Sequence, residues 1–292
     1  MPDILVTGGA GFLGSHIADA LTDMGHSVTV FDMKSSPWLR KDQNQITGDL
    51  NNSDSILQAV QGKSFVYHLA ALADLDEANQ RPADTVKTNI LGTVNLLNAC
   101  KEHRVDRFIF GSTVYVYSRD GGFYRCSKQA CENYIEEFHL QYGLNYTILR
   151  YGSLYGTRTG MTNGVYRLLN QYMNQEIIRY PGSSYDKREY IHVLDAAKLS
   201  AKVIENRSFT NRHYILTGND RLSIVELFTM FREILDRNIE VHYEGDEKNA
   251  TGHYSITPYT FTPKLGHKLT SNEYVDMGQG LIELINEIYQ KT

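Results

Sequence analysis

The chain has 292 residues, of which 41% are hydrophobic and 22% charged, and its formal net charge at pH 7 is −5. These values are typical of a globular protein with one large or two unequal cores, and they argue against extensive disorder. The acidic balance, without a dense run of lysine and arginine, argues against a nucleic-acid partner. The three cysteines are an odd number without metal-ligand spacing, so neither a disulfide framework nor a metal site is expected.

The sequence has no segment that predicts a membrane partner. The apolar run Ile4 to Val6 is too short for the core of a secretion signal, and no run approaches the ~20 apolar residues that span a bilayer. We therefore expect a cytoplasmic protein.

The first 150 residues alternate between short apolar runs and segments with helical spacing. Ile4 to Thr7 and Val28 to Phe31 read as strands, separated by a helix at Ser15 to Met24. The alternation continues with strands near Gln45 to Gly48, Phe65 to Leu69, Arg107 to Gly111 and Tyr146 to Arg150, and helices near Ser53 to Gln61, Pro82 to His103 and Tyr124 to Tyr142. This order predicts an α/β fold, a Rossmann-type doubly wound parallel sheet.

A glycine-rich loop joins the first strand to the first helix. Gly9 to Gly14 matches G-x-G-x-x-G, and Gly8 adds the pattern G-x-x-G-x-x-G. Such glycines let the backbone approach a pyrophosphate, while the helix N-terminus offers unpaired N–H groups. We therefore predict a dinucleotide site whose contacts include Gly8, Gly11, Phe12, Leu13 and Gly14.

Asp32 indicates which dinucleotide is bound. It lies eighteen residues after Gly14, at the end of the second predicted strand, where a carboxylate can accept hydrogen bonds from an adenosine ribose. A carboxylate there would repel a 2′-phosphate, so NAD is favoured over NADP. The alternative is a glycine-rich structural turn followed by an incidental acid.

Tyr124 and Lys128 are spaced four residues apart in a predicted helix and therefore share one face. An ammonium beside a phenol lowers the phenol's pKa from its usual value of about 10, which makes tyrosine a usable base near neutral pH. An isolated pair of this kind is more often an ordinary exposed helical pair. The nucleotide loop upstream favours redox chemistry on a sugar or alcohol instead.

Beyond Tyr151 the pattern becomes looser. It predicts helices near 165–174 and 193–205, short strands near 177–180 and 214–216, an irregular stretch at 245–268, and an amphipathic segment at 273–289. We expect a NAD-binding Rossmann domain at residues 1–150, to which part of 175–215 returns. Residues 151–292 are then mainly a smaller C-terminal substrate-binding lobe.

Several ordered motifs match one family. They are the glycine loop, Gly48-Asp49-Leu50, His68 to Ala71, Asn89, Ser112-Thr113, the Tyr124 and Lys128 pair, Leu149 to Tyr151, and Arg188 to Val193. In these features the chain resembles the extended short-chain dehydrogenase/reductase family, and within it the NAD-dependent nucleotide-sugar epimerases and dehydratases, such as UDP-glucose 4-epimerase. The similarity runs from residue 4 to about residue 200.

The resemblance implies roles around the cofactor. Asp49 and Leu50 would border the adenine, Asn89 would support the site near the nicotinamide, and Lys128 would bind the nicotinamide ribose. The other implied cofactor contacts are Leu69, Ala70, Ala71 and Tyr151. Asp49 has a plainer alternative, since it could cap a turn before Ser53.

The resemblance also implies contacts to a nucleotide-sugar substrate. Thr113 would hydrogen-bond the reacting hydroxyl, Arg188 would pair with the diphosphate, and Asn163 would meet the same ligand. Arg188 could instead form a surface ion pair with Glu189 or Asp186.

Three departures from the family pattern affect the substrate pocket. Arg125 replaces the glycine of Y-G-x-S-K, and Ser153 stands where the family usually has asparagine, so direct substrate contacts differ. Only eleven positions separate Thr113 from Tyr124, where relatives carry a longer loop rich in prolines. We expect a sugar pocket that is more open, or filled by something other than this loop.

The residues after Thr113 favour one reaction. The 4,6-dehydratases carry Asp-Glu there, and decarboxylases use a glutamate, whereas this chain has Val114-Tyr115. The sequence therefore predicts NAD-dependent epimerisation of a nucleotide-diphosphate sugar through a transient 4-keto intermediate, in which Tyr124 is the base. A dehydratase or reductase of the same family, or a non-catalytic sensor, is the alternative. Tyr115 is either pocket lining or an aid to proton transfer.

The same resemblance bears on assembly. The predicted helices Pro82 to His103 and Tyr124 to Tyr142 correspond to those that form a four-helix interface in relatives. A homodimer is therefore expected.

Overall fold

The computed structural model describes residues 1–245 and 254–261, and six helical positions between 278 and 288. Residues 1–261 form one compact unit, and residues 262–292 belong to a second. The predicted amphipathic segment at 273–289 lies largely outside the described residues. So does most of the predicted irregular stretch at 245–268, although its described part, 254–261, has no regular element beyond one isolated β-bridge.

Residues 1–245 contain twelve strands and nine α-helices. The strands are β1 (Asp3–Thr7), β2 (Ser27–Asp32), β3 (Gln43–Thr47), β4 (Phe65–His68), β5 (Arg107–Thr113), β6 (Tyr146–Tyr151), β7 (Ser153–Tyr155), β8 (Ile177–Tyr180), β9 (Lys187–His192), β10 (Arg212–Leu216), β11 (Arg221–Ser223) and β12 (Glu240–Tyr243). The helices are α1 (Phe12–Asp23), α2 (Ser53–Val60), α3 (Leu75–Gln80), α4 (Pro82–Thr85), α5 (Gly92–Glu102), α6 (Gly122–Tyr142), α7 (Gly164–Asn174), α8 (Val193–Lys202) and α9 (Ile224–Leu235).

Seven strands form a parallel sheet in the order β10-β6-β5-β4-β1-β2-β3. The order reverses between β1 and β4, so the loops after these two strands open a crevice at the carboxyl edge of the sheet. The predicted Rossmann-type doubly wound sheet is confirmed. Strand β10 lies far along the chain and pairs with β6, from Arg212 beside Thr147 to Leu216 beside Tyr151.

Apolar side chains cover both faces of this sheet because strand residues point alternately to either side. On one face Leu5, Phe108 and Ile148 pack with residues of α2, α5 and α6. On the other face Ile4 and Ile109 pack with residues of α1 and α8. The parallel strands are therefore buried on both sides, and polar side chains meet ligands only at the strand ends.

The predicted helix over Pro82 to His103 is interrupted. Residues Val86–Leu91 form a π-helical turn between α4 and α5. Such turns carry one extra residue and often mark functional sites. Here the turn contains the buried Asn89, whose amide holds the loop after β4.

The smaller lobe contains β7, β9 and β11 in one sheet and β8 paired with β12. Helices α7 and α9 pack with these strands around Tyr172, Phe228 and Phe231. Helix α9 was not predicted, although Ser223 and Glu226 form a capping box at its start, a signal that the sequence carries. Among the helices of the described residues, none is long and apolar enough to cross a membrane.

Candidate active site

A cavity of about 1020 Å³ opens where the carboxyl edge of the sheet meets the smaller lobe. It lies at the upper end of the size range of ligand sites, about 300–1,000 Å³. All of the predicted site residues except Asn89 line it: Gly8, Gly11, Phe12, Leu13, Gly14, Asp32, Asp49, Leu50, Leu69, Ala70, Ala71, Thr113, Tyr124, Lys128, Tyr151, Ser153, Asn163 and Arg188. Residues far apart in the sequence thus share one cavity.

The glycine loop is shaped to receive a pyrophosphate. Gly8 has a left-handed φ of +70°, and a Cβ on it would lie 2.6 Å from the Ala70 nitrogen. A Cβ on Gly14 would overlap the Gly8 carbonyl oxygen. Gly11 is the N-cap of α1 and has no side chain that could accept a hydrogen bond from the helix. The first N–H groups of the helix are therefore left for a ligand. These residues fit the phosphates of a dinucleotide.

Replacing Gly14 by alanine is expected to weaken NAD binding by at least about tenfold, because the added methyl group would push the Gly8 carbonyl out of the loop. Titration calorimetry with NAD would measure the change. Gly160→Ala is the matched control, since a Cβ there meets no atom within 4 Å. Equal NAD affinities for both variants would contradict this role of the loop.

Asp32 is fixed at the end of β2. One carboxylate oxygen accepts a hydrogen bond from Ala10 N at 3.1 Å, and the other accepts one from Lys34 N at 3.2 Å. Each carboxylate oxygen can accept a second hydrogen bond. The group can therefore still receive both hydroxyls of a ribose from the cavity.

Asp49 forms a turn and also lines the cavity. Its Oδ1 accepts hydrogen bonds from the backbone and side-chain nitrogens of Asn51, both at 2.9 Å, as a turn-forming aspartate does. Asn52, rather than Asp49, caps α2 by accepting from Ser55 N. Asp49 and the buried Leu50 nevertheless line the cavity beside the glycine loop.

Asn89 acts behind the cavity wall. Its Oδ1 accepts from Leu72 N at 2.7 Å, and its Nδ2 donates to Leu72 O at 3.0 Å and to Ser127 Oγ at 2.9 Å. These bonds join the loop after β4 to helix α6 between Tyr124 and Lys128. In this structure Asn89 positions the site rather than lining it.

Lys128 is buried beneath Tyr124. Its Nζ donates to the Gly111 carbonyl oxygen at 2.7 Å and lies 4.5 Å from the centre of the Phe110 ring and 5.8 Å from that of Tyr124. Burial lowers the pKa of Lys128 to about 8 and raises the pKa of the Tyr124 phenol above its ordinary value. The ammonium is therefore near the phenol, but its hydrogen bond goes to strand β5.

Thr113 ends β5 and faces the same cavity. Its Oγ1 accepts a hydrogen bond from Tyr115 N at 3.3 Å, which caps the short turn Val114–Tyr117. The hydroxyl proton is not used by this bond. Tyr151, at the end of β6, also reaches the cavity, while its hydroxyl pairs with Ser200 Oγ at 2.6 Å.

Arg188 is a largely buried cation on the side of the cavity formed by the smaller lobe, where Arg167 and Arg179 also line it. Its Nε is buried without a hydrogen-bond partner among the described residues, and the side chain lies among tyrosine rings. The predicted ion-pair alternative is not seen in the described residues: Glu189 pairs with Arg221 at 3.4 Å, and Asp186 accepts from the Tyr180 hydroxyl at 3.0 Å. A guanidinium with unused donors is suited to a diphosphate.

Asn163 and Ser153 already form hydrogen bonds within the protein. Asn163 caps α7 by accepting from Tyr166 N at 3.1 Å and donates to Leu154 O at 2.8 Å. Ser153 Oγ pairs with the Tyr254 hydroxyl at 3.1 Å. Both residues line the cavity. Some of their hydrogen-bonding groups are already paired within the protein, and the others are left for a ligand.

Sequence reasoning missed Tyr254, which lines the cavity from the irregular segment 254–261. No motif or periodicity marks it. It also missed a buried polar network behind Thr113, in which Glu132 accepts from Ser112 Oγ at 2.5 Å and from Arg150 Nη2 at 2.6 Å. A charged residue inside the apolar strand Tyr146–Tyr151 was the signal for that network.

The chain matches the model of the NAD dependent epimerase/dehydratase family over residues 4–216. Similar curated proteins include a putative UDP-glucose 4-epimerase of Methanocaldococcus jannaschii, 26% identical over 97% of each chain. Another is the UDP-N-acetyl-alpha-D-glucosaminuronate decarboxylase of Bacillus cytotoxicus, 29% identical over 84% of each chain.

Among solved structures, the UDP-glucose 4-epimerase of Thermotoga maritima with UDP-glucose has a TM-score of 0.80 and 28% identity, covering 89% of this chain and 90% of that one. The family model covers well over half of the chain, and it includes the glycine loop, Asp32, Tyr124, Lys128 and Arg188. The chain therefore belongs to the NAD dependent epimerase/dehydratase family, as its resemblance to the extended short-chain dehydrogenases implied, and NAD is its cofactor.

Proposed function

We propose that the protein epimerises a UDP-sugar at C4 through a transient 4-keto sugar. The observation that carries the proposal is that Thr113, Tyr124 and Lys128 line one cavity together with the glycine loop and Arg188. A relative and the Thermotoga structure carry the name UDP-glucose 4-epimerase, which supports a UDP-sugar as the substrate and C4 as the inverted carbon. We propose that residues 1–150, with part of 175–215, form the domain that binds the dinucleotide, and that residues 151–292 mainly bind the nucleotide sugar.

Tyr124, Thr113 and Arg188 have different roles in the proposed reaction. The residues of the glycine loop and Asp32 would hold NAD, which would supply reversible hydride transfer at the sugar carbon. Tyr124 takes the proton of the C4 hydroxyl, and Thr113 hydrogen-bonds the same oxygen. Arg188 holds the diphosphate while the sugar turns to present its other face. Tyr124 can then give the proton back, which completes the inversion.

Burial raises the pKa of Tyr124, so the phenol needs a nearby positive charge before it can serve as a base. Lys128 is the described cation that can supply it, because its Nζ lies 5.8 Å from the ring centre. An ammonium has three N–H donors, so Lys128 can act on Tyr124 while it keeps its hydrogen bond to the Gly111 carbonyl oxygen. Lys128 thus lies next to Tyr124 and is bonded to Gly111 of β5, the strand that ends at Thr113. We therefore expect the catalytic roles of the three residues to depend on one another.

The pair predicts a pH dependence. The pair of Lys128 and Tyr124 loses its first proton near pH 8, the pKa of the buried Lys128. The pair then shares one proton, and when this proton is on Lys128 the phenol of Tyr124 is ionised. We therefore expect kcat/KM to rise about tenfold per pH unit below pH 8 and to level off above it.

A pH profile between 6 and 9.5 would measure this rise. In Lys128→Met the rise should move to higher pH, because Tyr124 then ionises alone in a buried setting. An unchanged profile in Lys128→Met, or a flat profile in the wild type below pH 8, would contradict the coupling.

The function itself is tested with NAD-loaded protein and UDP-, GDP-, dTDP- and CDP-hexoses in deuterated water, followed by proton NMR. We expect the C4 epimer of a UDP-sugar. A deoxy methyl signal would indicate a dehydratase, and loss of the carboxyl group from a UDP-uronate would indicate a decarboxylase. Binding of NAD and UDP-sugar without conversion would favour the sensor.

We also propose a homodimer formed through α6 and the helical residues 86–102. Phe123 and Tyr134 are eleven positions apart, so they lie on one face of α6, and both are about half exposed. Val86 and Leu91 are similarly exposed on the adjoining π-helical turn, which packs against α6.

A dimer formed through this face should dissociate when a charged side chain is placed in the interface. Tyr134→Arg is expected to convert it to a monomer in light scattering after gel filtration. The control is Tyr185→Arg, at a position of the smaller lobe that is 80% exposed. A wild-type monomer at micromolar concentration would contradict the proposal.

A further inference from the structure

Arg158 joins the segment that follows β7 to the helix that follows the glycine loop. Its Nη2 donates to Asp19 Oδ2 of α1 at 2.7 Å, and its guanidinium carbon lies 5.1 Å from the ring centre of Trp38. The neighbouring residue adds a second link to α1, because the buried His16 donates from Nε2 to the Thr157 carbonyl oxygen at 3.1 Å. These contacts hold the segment against α1 and against the loop after β2.

Arg158 is held in a conformation that is unfavourable by itself. Its φ is +65°, in the left-handed region that residues with a Cβ rarely adopt. Its Nη1 is also buried without a hydrogen-bond partner among the described residues. Such strain persists only where the surroundings impose it, and it is concentrated at functional sites. The conformation of Arg158 therefore points to a function beyond stability.

Hydrogen bonds connect Trp38 back to Asp32, the proposed ribose acceptor. Trp38 N donates to Ser36 Oγ at 3.2 Å, and Ser36 N donates to Gln45 Oε1 at 2.9 Å. Gln45 Nε2 then donates to Lys34 O at 2.9 Å, and Lys34 N donates to Asp32 Oδ1 at 3.2 Å. The loop after β2 is therefore one hydrogen-bonded unit that extends from the carboxylate in the cavity to the tryptophan ring.

In the other direction, Arg158 leads to the proposed nucleotide-sugar site. Asn163 lies five positions further along the chain, caps α7 and lines the cavity. Arg167, which also lines the cavity, donates from Nη1 to Met161 O at 3.4 Å. The segment between Arg158 and Asn163 thus has one end on the cofactor side of the protein and the other end at the proposed substrate site.

We propose that Arg158 is a positioning residue that couples the binding of NAD to the binding of the nucleotide sugar, so that each ligand tightens the other. This inference rests on the proposed UDP-sugar substrate. NAD at Asp32 would order the loop that carries Trp38, and this loop would fix Arg158 and the segment up to Asn163. The second ligand then loses less conformational entropy on binding. Because binding is linked, the effect is the same in both directions.

The test measures the dissociation constant of NAD by titration calorimetry, with and without saturating UDP. In the wild type, UDP should lower this constant at least about fivefold, the lower end of typical coupling between sites. In Arg158→Ala the two constants should agree within about twofold. Arg104→Ala is the matched control, since Arg104 is an exposed arginine that also has a left-handed φ, +56°. Its coupling should equal that of the wild type.

Trp38→Leu tests the route through the tryptophan ring. It should reduce the coupling as Arg158→Ala does, and the double variant should show no further loss, because both substitutions break the same contact. If Arg158→Ala does not fold, as judged by circular dichroism, Trp38→Leu, at a 41% exposed position, gives the same comparison. Unchanged coupling in Arg158→Ala and Trp38→Leu, or no coupling in the wild type, would overturn the proposal.

Hydrogen exchange with NAD alone separates this proposal from the proposed function. NAD should slow amide exchange in residues 156–163 of the wild type but not of Arg158→Ala. If UDP and UDP-glucose do not bind and this difference is found, the proposed function fails and the link from NAD to the segment holds. If UDP-glucose is epimerised but NAD leaves exchange in 156–163 unchanged in the wild type, the coupling proposal alone fails.

Discussion

Tyr124→Phe is expected to lower kcat by about 10²- to 10⁴-fold, the contribution of a positioned general base. The substitution removes only the hydroxyl and keeps the ring against which Lys128 lies, so NAD affinity should change little. Initial rates of UDP-sugar epimerisation and calorimetric titration with NAD would measure the two quantities. Tyr185→Phe, at a largely exposed position, is the control for loss of a phenol elsewhere. Full activity in Tyr124→Phe would remove Tyr124 from the proposed mechanism.

Glu132→Ala should destabilise the protein by about 3–5 kcal/mol, because it leaves the Arg150 charge buried without its partner. The two side chains are only 5% and 8% exposed, and their closest N···O distance is 2.6 Å. Arg150 Nη1 also donates to the Tyr117 hydroxyl at 2.5 Å. The network thus joins β5, α6 and the turn after Thr113 immediately behind the site.

Urea denaturation followed by circular dichroism would measure the free energy of unfolding. Glu137→Ala, on the exposed side of the same helix, should cost less than about 0.5 kcal/mol. The double variant Glu132→Leu with Arg150→Met should be more stable than Glu132→Ala, since no unpaired charge remains. A loss below about 1 kcal/mol in Glu132→Ala would contradict the view that this pair stabilises the fold behind the active site.

Features that depend on local pattern could be predicted from the sequence. The glycine loop, Asp32 and the strand ends carry their information within a few residues, because backbone geometry at a strand-to-helix turn demands glycine. The doubly wound sheet followed from alternating elements and is confirmed. Tyr124 and Lys128 share a cavity because helical spacing already placed them on one face.

Features that depend on contacts between distant segments could not be predicted. Tyr254 reaches Tyr115 only because segment 254–261 binds along β9, and no spacing in the sequence indicates that pairing. The π-helical turn at Asn89 was also missed, since it follows from the hydrogen bonds of a buried amide to Leu72 and Ser127. The short loop was predicted to leave the pocket open or filled by something else, and the sequence did not indicate that Tyr254 would lie there.

The predicted effect of Lys128 on Tyr124 remains a prediction. Helical spacing places the two side chains together, but it does not fix which acceptor the ammonium chooses. In this structure the acceptor is the Gly111 carbonyl oxygen, and burial raises the pKa of the phenol. A base at Tyr124 therefore depends on the positive charge of Lys128, and the pH profile of Lys128→Met probes that dependence.

The most direct test of the central claim uses UDP-glucose carrying deuterium at C4, incubated with NAD-loaded protein in ordinary water. Hydride removal from C4 and its return to the same carbon predict a UDP-sugar inverted at C4 that retains the deuterium, with no hydrogen taken from solvent at C3 or C5. Mass spectrometry and proton NMR of the product would locate the label. Loss of the C4 deuterium to water, or solvent hydrogen at C3 or C5 of the product, would contradict this account.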